Sequence, residues 1–212
     1  MAYRYPTGAR VLLIEETARR RRIESRAVTL LEQAGFAEVV VPMIDFAEPY
    51  APVTDREAAR NSYRFTDREG ELVSIRSDFT PMVARALAPS LGDLPLRVFY
   101  RGDVIRCEAS RLGANRELFQ IGAELIGDGS PEADQEMLQL VTRIASELAG
   151  EAKVVHSFDE AGGYYTGLRF WAYGPDRRTV IARGGRYDTL YGRFGRDVPA
   201  IGFTFTVDEL ED

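Results

Sequence analysis

Gln120 and Glu124 stand four residues apart in the run ELFQIGAELI. Successive side chains of a strand alternate between its faces, so this spacing puts the amide and the carboxyl on one side of a sheet. Burying such a pair costs several kcal/mol unless polar partners meet it. Two readings follow. Strand neighbours such as Arg116 or Arg106 could satisfy both groups, which would make them structural. Otherwise they face a cavity and hold a polar ligand, with an anionic Glu124 attracting a cation. Other chemistry is sparse. One cysteine, Cys107, cannot close an internal disulfide, and with the single histidine, His156, it cannot furnish a tetrahedral zinc site. Both are expected to pack on or beside strands, and neither a metal nor a cofactor is expected.

The elements that must position this pair follow from periodicity. Ile23, Ala27, Leu30, Leu31 and Ala34 recur at helical spacing over 15–34, and Gly35 ends the helix. Val39-Val40-Val41 predicts a strand stopped by Pro42, and TDREGE predicts a hairpin turn between strands at 63–65 and 72–76. A short helix is expected at 80–88, then two strands, 96–106 and 117–126. Ser130-Pro131-Glu132 opens a helix whose buried face carries Ala133, Met137, Leu140, Val141, Ile144 and Leu148 and which Gly150 closes. Strands near 153–158, 164–173 and 178–182 follow, then a Gly-Gly turn, a short helix at 186–193 and a last strand at 200–206. Hairpin-linked strands with flanking helices predict an α+β fold, an antiparallel sheet covered by helices, in one domain over 1–212.

Composition narrows the function. The 212 residues carry a net charge of −6 with 45% apolar residues, as in a water-soluble globular domain. Phosphate binding needs clustered cations, and the one dense basic run, Arg19–Arg22, lies among glutamates as a solvated helix face. No apolar run suits a membrane span, and the N-terminus lacks signal-peptide features. The expected location is the cytoplasm, with no membrane partner.

Read together, several segments resemble the core of class II aminoacyl-tRNA synthetases. GFAEVVVPMID is similar to motif 1, the family's dimer element, and VFYRGDVIRCEASRLGANRELFQIGAELIGD to motif 2. ARGGRYDTLYGRFGRDVPAIGF is similar to the approach to motif 3. IRSDFTPMVARA and SFDEAGGYYTGLRFWAYG resemble the substrate-binding segments of the histidyl branch. The resemblance implies a class II synthetase-like fold and a histidine pocket. In it Asp78 and Thr80 take the amine, Gln120, Glu124, Tyr164 and Tyr165 hold the amine and imidazole, and Arg106 takes the carboxylate.

The departures are as informative. Aligning YYT with the histidyl RGLDYYT puts Glu160 at the catalytic arginine and Gly163 at the aspartate. Aligning PAIGF with PAVGFAMGLERL puts Glu209 at the motif 3 arginine. Reversing a charge about 4 Å from a phosphate shifts the interaction by roughly 8 kcal/mol at an effective dielectric near 20. Arg169, Arg183 or Arg186 could restore a cation if the alignment slips. No inserted domain separates the motif 2-like strands from YYTG, and no anticodon-binding domain is expected, so tRNA is not expected as a partner. This pattern resembles the histidyl-synthetase-like regulatory subunits of ATP phosphoribosyltransferase. It implies a non-catalytic chain that dimerises, joins a short-form catalytic subunit and confers allosteric inhibition by histidine in histidine biosynthesis. A stand-alone paralogue that activates an amino acid, and a tRNA- or amino-acid-sensing interaction module, are the alternatives.

Overall fold

The computed structural model describes residues 4–51, 53, 59–107, 115–158 and 163–210. Helix α1 covers Ile14–Gln33. Glutamates in its first turn suit the positive end of the helix dipole, and Glu16 accepts a hydrogen bond from the Leu13 N–H at 2.8 Å. Gly35, at φ +83°, reverses the chain. The chain then contributes β1 (Ala37–Glu38) and β2 (Ile44–Phe46), followed by the hairpin β3 (Arg64–Thr66) and β4 (Leu72–Ile75). Helix α2 spans Thr80–Leu87. The long strands β5 (Leu96–Ile105) and β6 (Glu117–Ile126) precede α3 (Pro131–Ala149). Ser130 caps α3, its hydroxyl accepting from the Ala133 N–H at 3.2 Å. Strands β7 (Lys153–Ser157), β8 (Arg169–Tyr173), β9 (Val180–Arg186) and β10 (Ala200–Thr206) complete the fold.

Among the described residues, seven strands form one sheet in the order β1-β5-β6-β10-β9-β8-β7, and β2-β4-β3 form a small second sheet. The antiparallel expectation holds for every pair in the large sheet except β1 with β5, which run parallel. The alternation of side chains divides the core in two. Ile121, Ala123 and Leu125 of β6 and Ile201, Phe203 and Phe205 of β10 pack with Ala27, Leu30 and Leu31 of α1 and the apolar stripe of α3. The intervening residues, Gln120, Gly122, Glu124, Gly202 and Thr204, face the other side, where Phe79, Val83, Val98, Tyr100, Tyr187 and Tyr191 form the second cluster.

Three expectations are corrected. Ala37 and Glu38, rather than Val39–Val41, pair with the sheet. Val39 still donates to the Phe99 carbonyl at 2.8 Å before the chain leaves. The Gly184-Gly185 pair lies inside β9 instead of forming a turn. A Cβ at Gly184 would stand 2.4 Å from the Gly202 carbonyl oxygen and 2.4 Å from the Phe170 ring, so these glycines permit close packing. Lastly, 186–193 is not a helix: β9 runs through Arg186, and only a 3-10 turn at Tyr191–Phe194 follows.

Candidate functional site

The polar face of the sheet opens into a cavity of about 940 Å³. That is near the top of the range for small-molecule sites. Six of the seven expected site residues line it: Asp78, Thr80, Arg106, Gln120, Tyr164 and Tyr165. The seventh, Glu124, lies just behind the wall at 1% exposure, against the lining residue Gly202. Strand register explains the grouping. Glu124 pairs with Gly202, Gly202 with Gly185, and Gly185 with Arg169, so one row crosses four strands on the same face.

Each side chain is fixed by its element. Arg76 anchors the chain between β4 and α2: its guanidinium donates to the carbonyls of Val41 and Asp103 and lies 3.9 Å from the centre of the Phe79 ring. Asp78 follows, accepting from the Thr80 N–H at 3.2 Å and from the Tyr164 hydroxyl at 3.0 Å. Thr80, the first residue of α2, donates its hydroxyl to Glu124 Oε1 at 2.8 Å. Tyr100 shares a hydrogen bond with the Thr204 hydroxyl at 2.7 Å. Arg106 leaves β5 and donates through Nε to the Ser77 carbonyl at 3.1 Å. Gln120 is almost fully buried on β6.

Glu124 therefore does not pair with Arg116 or Arg106; its partner is a neutral hydroxyl. Burial pushes its carboxyl up to about 8, the Thr80 and Tyr100 hydroxyls offset part of this, and the Asp78 charge adds to it. The expected anion is thus a neutral acid near pH 7, which corrects the sequence reading. Burial likewise raises the phenols, Tyr165 to about 12 and Tyr100 and Tyr164 well above their ordinary range, so all three stay protonated donors.

Three buried polar atoms at this end have no hydrogen-bond partner among the described residues: Glu124 Oε2 and the hydroxyls of Tyr187 and Tyr191. Such groups carry a desolvation cost of about 1–3 kcal/mol each, which a polar ligand can offset. Sequence reasoning missed both tyrosines, because they were assigned to a helix. Their only signal was a pair of aromatics beside a Gly-Gly sequence.

Arg10, Arg169 and Arg183 also line the cavity, with Asp208 and Glu209. Asp208 is a buried hub that accepts from Arg10 and Arg20 at 2.7 Å each and from the Phe119 N–H at 2.7 Å. Arg169 lies over the rings of Tyr165 and Trp171, 5.0 and 5.2 Å from their centres. Of the three arginines that could restore a cation, Arg169 and Arg183 reach the cavity. Arg186 is committed to Asp134 and Asp188 instead. Gly163 lines the wall, whereas Glu160 lies outside the described residues.

A helix-covered antiparallel sheet with a buried polar pocket on its open face defines a class II aminoacyl-tRNA synthetase-like core. The histidyl-tRNA synthetase family model matches residues 8–162 and 157–210, and the chain belongs to that family. An ATP phosphoribosyltransferase regulatory subunit from Geobacter metallireducens is 36% identical over 149 residues, 69% of this chain and 34% of the relative. A histidine–tRNA ligase from Rhodospirillum rubrum is 32% identical over 155 residues, 70% of this chain and 37% of the relative. The chain thus spans about a third of the length of these relatives. In structure it superimposes on a Bacillus halodurans protein described as an ATP phosphoribosyltransferase regulatory subunit/histidyl-tRNA synthetase. The TM-score is 0.88 at 21% identity, over 100% of this chain and 83% of the other.

Proposed function

We propose that this chain is a non-catalytic regulatory subunit of ATP phosphoribosyltransferase. It binds histidine in the pocket, joins a short-form catalytic subunit that depends on it for activity, and transmits feedback inhibition. The observation that carries the reading is Glu209, a carboxylate on the cavity wall at the position aligned with the family's phosphate-binding motif 3 arginine. Pyrophosphate leaving ATP needs cations there, and electrostatic stabilisation is usually the largest catalytic term. The relatives named as regulatory subunits support the same choice. The two family matches meet at 157–162, just after α3 and β7, which supports a core without the family's inserted domain and hence without tRNA as a partner.

In this reading Asp78 takes the ligand amine, Arg106 the carboxylate, and Gln120, Glu124, Tyr164 and Tyr165 surround the ring. The chain pairs with a second copy through α1 and the segment 39–44, where Val40 is 90% exposed and Ile44 about half exposed, as is Phe46 just beyond it. The setting is the cytosol, where histidine is made.

Arg106, Arg169 and Arg183 on the same wall favour one second reading, a paralogue that still activates an amino acid. Histidine-dependent pyrophosphate exchange separates the two. We expect none above a no-protein control, together with activation of a short-form phosphoribosyltransferase on mixing. Exchange without activation would establish the second reading and overturn the first.

A further inference from the structure

Residues paired across antiparallel strands share a face, so register sorts the side chains of the small sheet. Ile44 and Ile75 fall on one face with Phe46, Val73 and Phe65. Asp45, Ser74 and Arg64 fall on the other, which is polar apart from Leu72. Antiparallel sheets commonly pack the apolar face on their own core and leave the polar one to water. Here the polar face meets the rest of the chain: Asp45 accepts from the Tyr50 hydroxyl at 2.6 Å and pairs with Arg85 of α2. The apolar face looks outward, with Ile44, Phe46 and Phe65 at 49%, 47% and 41% exposure around buried Val73. With Val40 and Met43, which lead into β2, it offers on the order of 500 Å² of apolar surface, over half of the roughly 800 Å² per partner in a standard interface. Uncharged side chains meet their own copy without like-charge repulsion, and the face continues the segment 39–44 used for pairing in the reading above. The occupant it fits is a second copy of this chain.

Behind this face, α2 is pinned to the same segment near both ends. At its start the Arg76 N–H donates to the Met43 carbonyl at 2.8 Å, and the Arg76 guanidinium donates to the Val41 carbonyl at 3.0 Å. Asp78 and Thr80, two and four residues further on, line the cavity. Towards the end of α2, Arg85 holds Asp45, and its guanidinium lies 5.7 Å from the centre of the Tyr50 ring. A helix of eight residues moves as one body, so a shift of 41–45 carries Asp78 and Thr80 with it. We propose that pairing of two copies on this face and occupation of the pocket form one linked equilibrium, carried by Arg76 and the Arg85–Asp45 pair. The dimer then binds histidine more tightly than the single chain, because a seated copy holds 41–45 in place and the ligand no longer bears the cost of ordering Asp78 and Thr80. This linkage rests on the histidine and pairing readings above and adds the route by which the two sites sense each other.

Coupling is reciprocal: histidine strengthens pairing by the factor, commonly about 5- to 150-fold, by which pairing strengthens each site. Sedimentation equilibrium of the full chain with and without saturating L-histidine measures the dimer constant, and calorimetry in parallel measures histidine binding. The expected result is a dimer dissociation constant at least about fivefold lower with histidine. Asp45→Asn and Arg85→Gln lie outside both the apolar face and the cavity lining. Each should keep histidine binding and pairing but lose most of that gain. Histidine that binds without changing the dimer constant would overturn the linkage and leave the histidine reading standing. A gain that survives in both variants would overturn the route through α2. A chain that stays monomeric with histidine bound would overturn pairing and linkage together. No heat of binding at all would overturn the histidine reading, and the linkage with it.

Discussion

In the absence of ligand, raising the pH from 5 to 8.5 should destabilise this protein through Glu124 alone. The folded chain holds that proton up to about pH 8, whereas the unfolded chain releases it near 4.5. Between those values the folded state binds more protons than the unfolded one, so stability is greatest below 4.5 and declines as pH rises towards 8, levelling above it. Moving a carboxyl from 4.5 to about 8 corresponds to roughly 5 kcal/mol, at about 1.36 kcal/mol per tenfold change in acidity. That is a large share of the total stability of a domain, commonly about 5–15 kcal/mol. The effect is unusual in direction, because carboxylates that are paired in the native state stabilise as pH rises. Glu124→Gln keeps the shape of the neutral acid and removes its titration. The variant should match wild type at pH 5 and exceed it at pH 8.5 by a few kcal/mol. Urea unfolding of both proteins at pH 5, 6.5 and 8.5 measures the difference, and taking variant against wild type cancels every other titrating group. Parallel pH profiles, with a constant gap between the two proteins, would refute the neutral-acid assignment.

Two further outcomes follow from the packing and the exposed surface. Gly202→Ala forces a methyl to within 1.7 Å of Glu124 Oε2 and 2.6 Å of the Tyr187 hydroxyl, so it should cost about 1–3 kcal/mol, lower the melting temperature by several degrees and abolish histidine binding. A melting temperature unchanged by the added methyl would count against the packing around Oε2. Val40→Asp combined with Phe46→Asp should convert a micromolar dimer into a monomer in sedimentation, with the fold retained; an unchanged sedimentation coefficient would exclude this surface as the dimer contact.

Much of the fold was legible because its elements announce themselves locally. The stripes of α1 and α3, the Ser130 cap and the terminal glycines set those helices to within a residue of the structure. β5, β6 and β10 followed from β-branched and aromatic runs bounded by turn residues. The failures have a common cause. Val39–Val41 has the propensity of a strand, but the register with Val98 and Phe99 belongs to Ala37 and Glu38. Gly184-Gly185 looks like a turn until Phe170 and the Gly202 carbonyl press on it. In each case the deciding contact comes from a segment remote in sequence, which local pattern does not carry.

The site divides along the same line. Shared facing of Gln120 and Glu124 follows from parity alone, and the resemblance supplied Asp78, Thr80, Tyr164 and Tyr165, all on one cavity with Arg106. The protonation of Glu124 was not legible, because it depends on which neighbours are charged and how near they stand. In the row from Glu124 through Gly202 and Gly185, the first cation is Arg169, three strands away. At about 4.8 Å per strand that is roughly 14 Å between backbones, too far for a strong opposing charge. Arg106, the nearer cation along the chain from β5, points its Nε at the Ser77 carbonyl. Had either guanidinium reached Glu124, its charge would have favoured the ionised acid. With both held off, Glu124 stays a neutral acid beside a cavity whose wall also carries arginines. In the proposed reading the ligand's ring lies against Glu124 and its carboxylate towards Arg106. The separation of acid from cation, set by strand order for Arg169 and by the Ser77 contact for Arg106, is what leaves Glu124 neutral.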